Sequence, residues 1–375
     1  MQFHEKTLEL NITHELLSLA DSWAWFLFNP VRKYWEPGFR LPFLKYPRST
    51  AAGFHITTEG KDDSTGEAGG GFDVRIKSGT NGNLLFIQYK KGELVEISPN
   101  PKSTFHNPPK EHFKFKINST KTNQHFVLRN LADNIGKEKG NAVVYAFPLI
   151  KNMADLENNA GKLLRKTKFV SIKDIDIQAE VNKVKLKKRK EHNFRIGKDD
   201  MDRCEVNYYY YYFIGGDRTP EIIADIIAIK FQEALSFWVN YHKDNVIDGK
   251  LLSDFFEDSL IKYIEFLLHY FEVAPSKIDI LYINRYLMYF QEEGWKDYKS
   301  VERDIKIVNA VFGAISSFEK FITVIRETPE KINEIEVPKY EPQFLISVDK
   351  NSELKINFEE GVSRAIIEDI NYLIV

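Results

Sequence analysis

The chain contains almost no cysteine. Cys204 is the single cysteine among 375 residues, so the chain can form neither an internal disulfide nor a cysteine-cluster metal site. This composition is typical of a reducing compartment, and we expect a cytoplasmic protein. The opening residues, MQFHEKTLEL, lack the cationic start and apolar run of a signal peptide. No apolar run approaches the ~18 residues of a membrane span, so we expect no membrane partner.

Several catalytic signatures are also absent. The sequence contains no Walker loop, no GxSxG nucleophile turn and no glycine fingerprint for dinucleotides. Its histidines, among them His106, His112 and His192, do not follow the spacing of metal ligands. These absences argue against a P-loop NTPase, a dinucleotide-dependent enzyme and a histidine-ligated zinc site.

The net charge of −2 conceals two halves of opposite sign. Residues 1–219 carry 35 Lys and Arg against 26 Asp and Glu, a balance of +9, whereas residues 220–375 carry 17 against 28, a balance of −11. A basic half joined to an acidic half fits a part that binds a polyanion attached to a part that avoids one. The alternative interpretation is solvated surface charge that varies along the chain by chance.

The first half of the chain mixes helix and strand patterns. An apolar stripe predicts a helix that begins near Asn11 or Thr13 and ends at Phe28. Short apolar runs predict a series of strands, and a second helix is expected over 122–135. The predicted strands cover 52–57, 72–77, 84–90, 112–117, 141–150, 168–173, 192–196 and 205–214. This mixture predicts an α/β fold.

The pattern changes to helical periodicity at the middle of the chain. Thr219, Pro220 and Glu221 form a strong helix start, with a capping residue, a proline at the first position and an acid in the first turn. Later helices are expected over 250–272, 279–292 and 299–326. We therefore predict three parts: an α/β domain over 1–216, a helical domain over 217–327, and a linker with a short C-terminal α+β extension over 328–375.

A glycine-rich stretch precedes two strands that carry polar side chains. GEAGGGFDV (66–74) leads into a strand that presents Asp73, and the strand 84–90 presents Gln88 and Lys90 on one face. If these strands pair as a hairpin, a carboxylate, an amide oxygen and an ammonium group converge. Hard oxygen ligands suit Mg²⁺ or Mn²⁺, and a neighbouring lysine can orient water or neutralise a phosphate. The alternative is an ordinary solvated hairpin.

At these residues the sequence resembles the PD-(D/E)xK nuclease superfamily, and within it the branch of Mrr-like restriction endonucleases. The family places an aspartate behind a glycine-rich turn and an (E/Q)xK motif on the next strand, which Asp73 and Gln88-Tyr89-Lys90 match. The resemblance implies a restriction-endonuclease-like mixed sheet flanked by helices, followed here by an all-α domain. It further implies a Mg²⁺-dependent endonuclease that hydrolyses DNA in prokaryotic defence or restriction.

The resemblance also implies roles for individual residues. Asp73, Gln88, Lys90 and Gln124 are the expected catalytic residues, Gln124 because the family often carries a polar residue on the helix after the core strands. Asp73, Gln88 and the Tyr89 carbonyl are the expected metal ligands. Lys90 is expected to assist the attacking water.

One further acid often completes the metal site in this family. Glu15 on the first helix is the expected ligand, and Glu59 and Glu67 are alternatives. Glutamine at position 88 replaces the commoner glutamate, so the site carries less negative charge. This departure keeps a second hypothesis open, in which the chain is a catalytically inactive nuclease-like module that binds nucleic acid or a partner protein. A nuclease that acts on RNA is a third hypothesis.

A run of cations, KVKLKKRK (183–190), follows the predicted core strands. Such a run can contact a nucleic-acid backbone without reading its sequence, or it can be a solvated edge. The expected partner is nucleic acid, and double-stranded DNA is favoured. The residues expected to contact it are Lys91, His125, Lys185, Lys187, Lys188, Arg189 and Lys190. The helical domain is expected to form a homodimer, to sense a trigger or to dock a partner defence protein.

Overall fold

The computed structural model describes residues 4–28, 50–53, 82–120, 123–135, 140–208, 216–245, 260, 262–273, 302–332, 334–348 and 370–374. Two sheets and several helices make up these residues, which confirms the predicted α/β class. The predicted strand 72–77 and the predicted helix 279–292 lie outside the described residues.

The larger sheet is mixed and has the strand order β1-β10-β2-β5-β6, with β9 paired to β2. β2 and β5 run parallel, and the other pairs in this sheet are antiparallel. Its strands are β1 (Thr50–Gly53), β2 (Gly82–Tyr89), β5 (Val143–Pro148), β6 (Thr167–Ser171), β9 (Ile346–Val348) and β10 (Ile370–Ile374). All residues of β5 and β6 are buried, as expected for central strands covered on both faces.

β2 occupies a central position with partners along both edges. Gln88 lies between Ile370 of β10 and Tyr145 of β5. A strand has only two hydrogen-bonding edges, so the strands next to Gln88 are β5 and β10. This corrects the expected hairpin, which placed strand 72–77 beside Gln88.

The smaller sheet is antiparallel and has the order β3-β4-β7-β8. Its strands are β3 (Glu93–Val95), β4 (His112–Asn118), β7 (His192–Gly197) and β8 (Cys204–Val206). Phe113, Phe115 and Ile117 alternate along β4 and contribute one face to a hydrophobic core shared with the larger sheet. Leu84 and Phe86 of β2 enter the same core, so the face of β2 that carries Gln88 points toward it.

Helices cover this core and fix the connections between strands. α2 (Gln124–Ile135) buries an apolar stripe and connects, through a 3-10 turn at Gly140–Ala142, to β5, which runs parallel to β2. α3 (Met153–Asn158) and α4 (Ile172–Val181) follow. The strand expected over 168–173 ends at Ser171, and the residues that follow form α4, a helix that was not predicted. Ser171, whose hydroxyl accepts the Asp174 amide at 3.0 Å, begins that helix.

The first helix is longer than expected. α1 (Glu5–Phe28) begins six or more residues before the predicted caps Asn11 and Thr13. Asn11 does not cap: its side-chain amide donates to the Thr7 carbonyl at 2.8 Å within the helix. Polar residues that favour caps can therefore be accommodated inside a helix by bonding to the preceding turn.

The chain divides into two compact units. The first comprises 1–15, 50–219 and 344–374, and the second comprises 16–49, 220–343 and Val375. The boundary between Thr219 and Pro220 lies three residues from the expected one. The expected C-terminal extension differs, because β9 and β10 belong to the larger sheet of the first unit rather than to a separate part.

The second unit is helical in its described residues. They include α5 (Thr219–Asn245, of which all but Thr219 lies in this unit), α6 (262–270), α7 (Glu302–Ser316) and α8 (Glu319–Glu327). Among the residues that the structure describes, Glu302–Glu327 is the one stretch long and apolar enough to cross a membrane, which the sequence analysis did not single out. Ile307, Val311 and Ile315 on α7 are buried within the protein.

Candidate active site

Gln88 carries a buried oxygen atom at the carboxyl end of β2. Its side chain is 1% exposed, and its Nε2 donates to the carbonyl oxygen of Tyr89 at 3.0 Å. That bond fixes the orientation of the amide, because exchange of the two ends would place an oxygen against the Tyr89 carbonyl. The Oε1 atom consequently points away from Tyr89, and no described residue donates a hydrogen bond to it.

A buried amide oxygen without a donor is unfavourable in folding. Such a group costs about 1–3 kcal/mol when it is left unsatisfied. Amide and backbone carbonyl oxygens are suitable ligands for Mg²⁺ and Ca²⁺. Gln88 Oε1 therefore fits one ligand position of a hard cation. The Tyr89 carbonyl faces the Nε2 donor of Gln88 and not its Oε1, so ligation of one cation by both oxygens stays a prediction.

Lys90 and Gln124 are brought together, although 34 residues separate them in sequence. Lys90 lies two residues after Gln88 and follows the last residue of β2, and its amide continues the pairing with β5 by donating to the Ala146 carbonyl at 3.0 Å. The Nζ atom of Lys90 donates a hydrogen bond to Oε1 of Gln124, the first residue of α2. The two residues join the carboxyl end of β2 to the amino end of α2.

The first turn of α2 is held by a buried polar cluster. His125 is fully buried, and its Nε2 lies 2.9 Å from Oδ1 of Asp176 on α4. Arg129, one turn later on α2, donates to both carboxylate oxygens of Asp176. The other ring nitrogen of His125 lies 3.3 Å from the hydroxyl of Tyr145, which donates to the Ile117 carbonyl at 3.2 Å.

The position of His125 corrects its expected role. A side chain that is fully buried and in contact with Asp176 and Tyr145 does not contact a nucleic acid. Its position one residue after Gln124 gives it a structural role instead. Together with Asp176 and Arg129, it fixes the part of α2 from which Gln124 reaches Lys90.

The cluster changes the pKa values of its members. Burial disfavours the charged form of Asp176, but the hydrogen bonds from His125 and Arg129 outweigh burial and hold the pKa of the carboxyl below its usual value. Burial, reinforced by the negative charge of Asp176, raises the pKa of Tyr145 well above that of free tyrosine. The phenol therefore remains protonated and available as a donor at neutral pH.

Glu15 has a different environment from the one expected of a metal ligand. Its two carboxylate oxygens accept the backbone amides of Leu163 and Leu164, each at 3.0 Å. These amides lie at the start of the 3-10 helix Leu163–Lys166, so Glu15 caps that helix from α1. Its role as a metal ligand stays a prediction, and the competing acids Glu59 and Glu67 lie outside the described residues.

The residues around the QxK motif occupy the two faces of β2. The ring of Tyr89 is buried on the face opposite to Gln88, and its hydroxyl lies 2.9 Å from Thr13 Oγ1. Lys91 is exposed just beyond β2, and its backbone amide donates to Glu5 at 2.9 Å. The expected alternation of Gln88 and Lys90 against Tyr89 thus agrees with the structure.

The described residues alone do not complete a metal site. No group of three or more His, Cys, Asp or Glu side chains suited to a metal occurs among them. Asp73 lies outside the described residues. Among the described residues, the fit to a divalent cation therefore rests on Gln88 Oε1.

The basic loop, defined as residues 183–190, connects α4 to β7. Its predicted nucleic-acid contacts are all exposed: Lys185, Lys187, Lys188, Arg189 and Lys190. The amide of Arg189 donates to the side chain of Asn123 at 2.7 Å. Because Asn123 immediately precedes Gln124, the loop lies beside the end of α2 that contacts Lys90.

Sequence reasoning missed the residues that support this site. Asp176 lies on a helix that was not predicted, and its partners His125 and Arg129 were not considered together. A signal was available, since His125 and Arg129 are four residues apart and so share a face of α2. Asn123 was not among the expected site residues, and nothing in its local sequence indicates that it contacts Arg189.

The comparisons with known proteins leave the family open. The sequence matches no protein-family model and no curated protein, and the fold matches no solved structure. The resemblance to PD-(D/E)xK nucleases accordingly rests on the residues of this chain alone.

Proposed function

We propose that the protein is a metal-dependent endonuclease that hydrolyses phosphodiester bonds of DNA, with its active site at the carboxyl end of β2. The observation that carries this proposal is the buried Oε1 of Gln88, which has no donor among the described residues and lies on the same face as Lys90. A phosphodiesterase of this kind needs an oxygen for a divalent cation and a positive charge for the phosphate, and both are present here.

The residues have distinct roles in this proposal. Gln88 Oε1 would hold Mg²⁺ or Mn²⁺, with Asp73 and the Tyr89 carbonyl assigned as further oxygen ligands from the resemblance to PD-(D/E)xK nucleases. When bound, the cation polarises the phosphoryl oxygen and lowers the pKa of a bound water. Lys90 stabilises negative charge that develops on the phosphate, and Gln124 holds the Lys90 ammonium in position through their hydrogen bond.

The position of the site within the fold supports the proposal. The chain passes from β2 through β3 and β4 of the smaller sheet to α2, and then returns to the larger sheet at β5, which runs parallel to β2. Ligands of α/β proteins bind beyond the carboxyl ends of such strands, and the amino end of a helix favours an anion. The Gln88, Lys90 and Gln124 side chains lie at this place, where a phosphate would meet the positive end of α2.

The biological setting follows from the resemblance. We place the enzyme in the cytoplasm, in prokaryotic defence or restriction, with a restriction-endonuclease-like core in the first unit. Cutting both strands of a duplex requires two active sites, so a homodimer or a partner defence protein is expected to join through the helical unit. The acidic balance of residues 220–375 suits contact with proteins rather than DNA.

A plasmid-nicking assay tests the proposal. Supercoiled plasmid is incubated with the wild type and with Asp73→Ala, Lys90→Ala and Lys91→Ala, in Mg²⁺ or in EDTA. We expect Mg²⁺-dependent nicking by the wild type, a loss of about 10-fold or less in Lys91→Ala, which removes one expected phosphate contact, and a loss of two orders of magnitude or more in the other two variants.

Other outcomes distinguish the competing functions. Nicking by none of the proteins, or equal nicking by all four, removes the enzymatic assignment, and retained DNA binding would then favour the inactive binding module. Cleavage of RNA in place of plasmid, lost in the Asp73 and Lys90 variants, assigns the same site to an RNA nuclease. Thermal unfolding of each variant separates loss of chemistry from loss of fold.

A further inference from the structure

The basic loop is shaped by contacts to its backbone. The side-chain amide of Asn118, the last residue of β4, donates to the Lys190 carbonyl at 2.9 Å and to the Lys187 carbonyl at 3.4 Å. Asn123 accepts the Arg189 amide at 2.7 Å. Asn118 and Asn123 thus hold the loop through its main-chain atoms.

Further contacts anchor the same loop. His192 Nε2 accepts the Lys187 amide at 2.8 Å, and burial lowers the pKa of His192, which favours the neutral ring that can accept this bond. Leu186 packs against the hydrophobic core. Arg189 adopts a left-handed backbone with φ of 55°, a conformation that is uncommon for residues other than glycine. The loop therefore has a specific conformation that its surroundings enforce.

The charges of the loop are directed to solvent. Within the part of the chain that the structure describes, five of its cationic side chains are exposed and form no ion pair: Lys183, Lys185, Lys187, Arg189 and Lys190. The adjacent acid, Glu191, is paired with Lys116 on β4 at 3.5 Å. A dense set of like charges held without counter-charges favours a polyanionic partner.

We infer that the basic loop is a preformed binding element for the phosphate backbone of duplex DNA, and that Asn118 and Asn123 determine its shape. Backbone anchoring allows successive cationic side chains to contact successive phosphates, and such contacts position a duplex without reading its sequence. Preformed geometry also reduces the conformational entropy lost on binding. This inference identifies the element that would hold the duplex DNA substrate of the proposed nuclease, and it rests on that proposed function.

The loop is coupled to the candidate active site through one short segment. Asn123 contacts Arg189, and the next residue, Gln124, contacts Lys90. A duplex that is held by the loop is therefore brought to the end of α2 at which Lys90 lies. Asn123 is a positioning residue in this arrangement, since it contacts the loop and is not expected to contact the phosphate.

Binding is measured in EDTA, where cleavage cannot contribute. Fluorescence anisotropy follows a labelled DNA duplex with the wild type and with a variant in which four loop cations are replaced by glutamine: Lys185, Lys187, Arg189 and Lys190. The matched control replaces four exposed lysines elsewhere: Lys102, Lys110, Lys151 and Lys331. Both variants lose the same charge, so only the location of the charge differs between them.

We expect the loop variant to bind duplex DNA about 100-fold or more weakly than the wild type at 0.1 M salt. The slope of log K against log [salt] is negative, and we expect its magnitude to fall by about 2–4, because each phosphate contact contributes about 0.9. The control should retain most of the affinity. Asn118→Ala leaves every charge in place, and we expect it to weaken binding several-fold. Asn152→Ala removes the hydrogen bond that the Asn152 side chain accepts from the Asp155 amide at 2.9 Å, at the start of α3, and it should not weaken binding.

Three results would overturn the inference: equal weakening by the loop and control variants, wild-type binding with no salt dependence, or binding to anionic lipid vesicles or RNA in preference to duplex DNA. Failure of the nuclease proposal gives a different result. In that case the plasmid remains uncut, while loop-dependent binding of the duplex persists.

Discussion

The ammonium group of Lys90 donates a hydrogen bond to Oε1 of Gln124, and this bond ties the carboxyl end of β2 to the first turn of α2. Removing either partner should therefore affect the same step. We expect Gln124→Ala to lower the nicking rate about 10-fold and Lys90→Ala to lower it about 100-fold or more. The double variant should be no slower than Lys90→Ala, because Gln124 acts through Lys90.

Single-turnover nicking rates of the four proteins give this comparison. Gln124→Glu serves as the conservative variant, since it retains an oxygen that accepts from Lys90. Losses that multiply in the double variant would show that Gln124 acts independently and would contradict the coupling. If Lys91→Ala cut the plasmid as slowly as Lys90→Ala, the assignment of Lys90 as the functional lysine would be contradicted.

Gln88→Leu should separate stability from function. Leucine has similar volume and removes a buried oxygen for which the described residues provide no donor, although it also removes the bond to the Tyr89 carbonyl. We expect the free energy of unfolding to be unchanged or raised by about 1 kcal/mol, while metal-dependent nicking is lost. Chemical denaturation and the plasmid assay measure the two effects. A variant that is strongly destabilised or that still cuts DNA would contradict the role of this oxygen as a ligand.

Asp176 should contribute to stability in a pH-dependent way. Its pKa in the folded protein lies below the ordinary value of about 3.9 for an unfolded chain. The stabilisation is therefore fully present above about pH 4 and is lost as the pH falls through the folded pKa. Asp176→Asn should lower the unfolding free energy by about 2 kcal/mol at pH 7, and the difference from wild type should shrink below pH 4. A constant difference at all pH values would contradict the ionised pair.

Glu15→Ala tests whether Glu15 caps a helix or binds a metal. The substitution leaves the amides of Leu163 and Leu164 without their acceptor, so we expect a loss of about 2 kcal/mol in unfolding free energy. The Mg²⁺ concentration that gives half-maximal nicking should not change. Glu157→Ala, at an exposed acid on α3, is the control for a simple loss of negative charge. An increased Mg²⁺ requirement in Glu15→Ala alone would restore the ligand role.

Local sequence patterns predicted much of the first unit. The alternation along residues 84–90 placed Gln88 and Lys90 on one face, and the polar start near residue 122 marked α2 within two residues. These features depend on periods of two and 3.6 residues, which are visible in a short window. Lys90 and Gln124 were both selected, but their direct contact was not foreseen.

The neighbours of β2 could not be predicted in the same way. β10 pairs with β2 although some 280 residues separate them, and no pattern within either strand specifies that pairing. The fully buried His125 illustrates the same limit. A histidine at a helix start is compatible with solvent, and only the distant Asp176 and Tyr145 decide its burial.

The binding of Mn²⁺ to the wild type, Gln88→Leu and Asp73→Asn by electron paramagnetic resonance tests the proposed shared cation. We expect the wild type to bind Mn²⁺ and both variants to lose at least 10-fold in affinity while their thermal unfolding remains cooperative, because Gln88→Leu removes an oxygen ligand and Asp73→Asn removes the negative charge of the carboxylate ligand. Undiminished Mn²⁺ binding by Gln88→Leu, or no binding by the wild type at millimolar Mn²⁺, would contradict a metal-dependent active site at the end of β2.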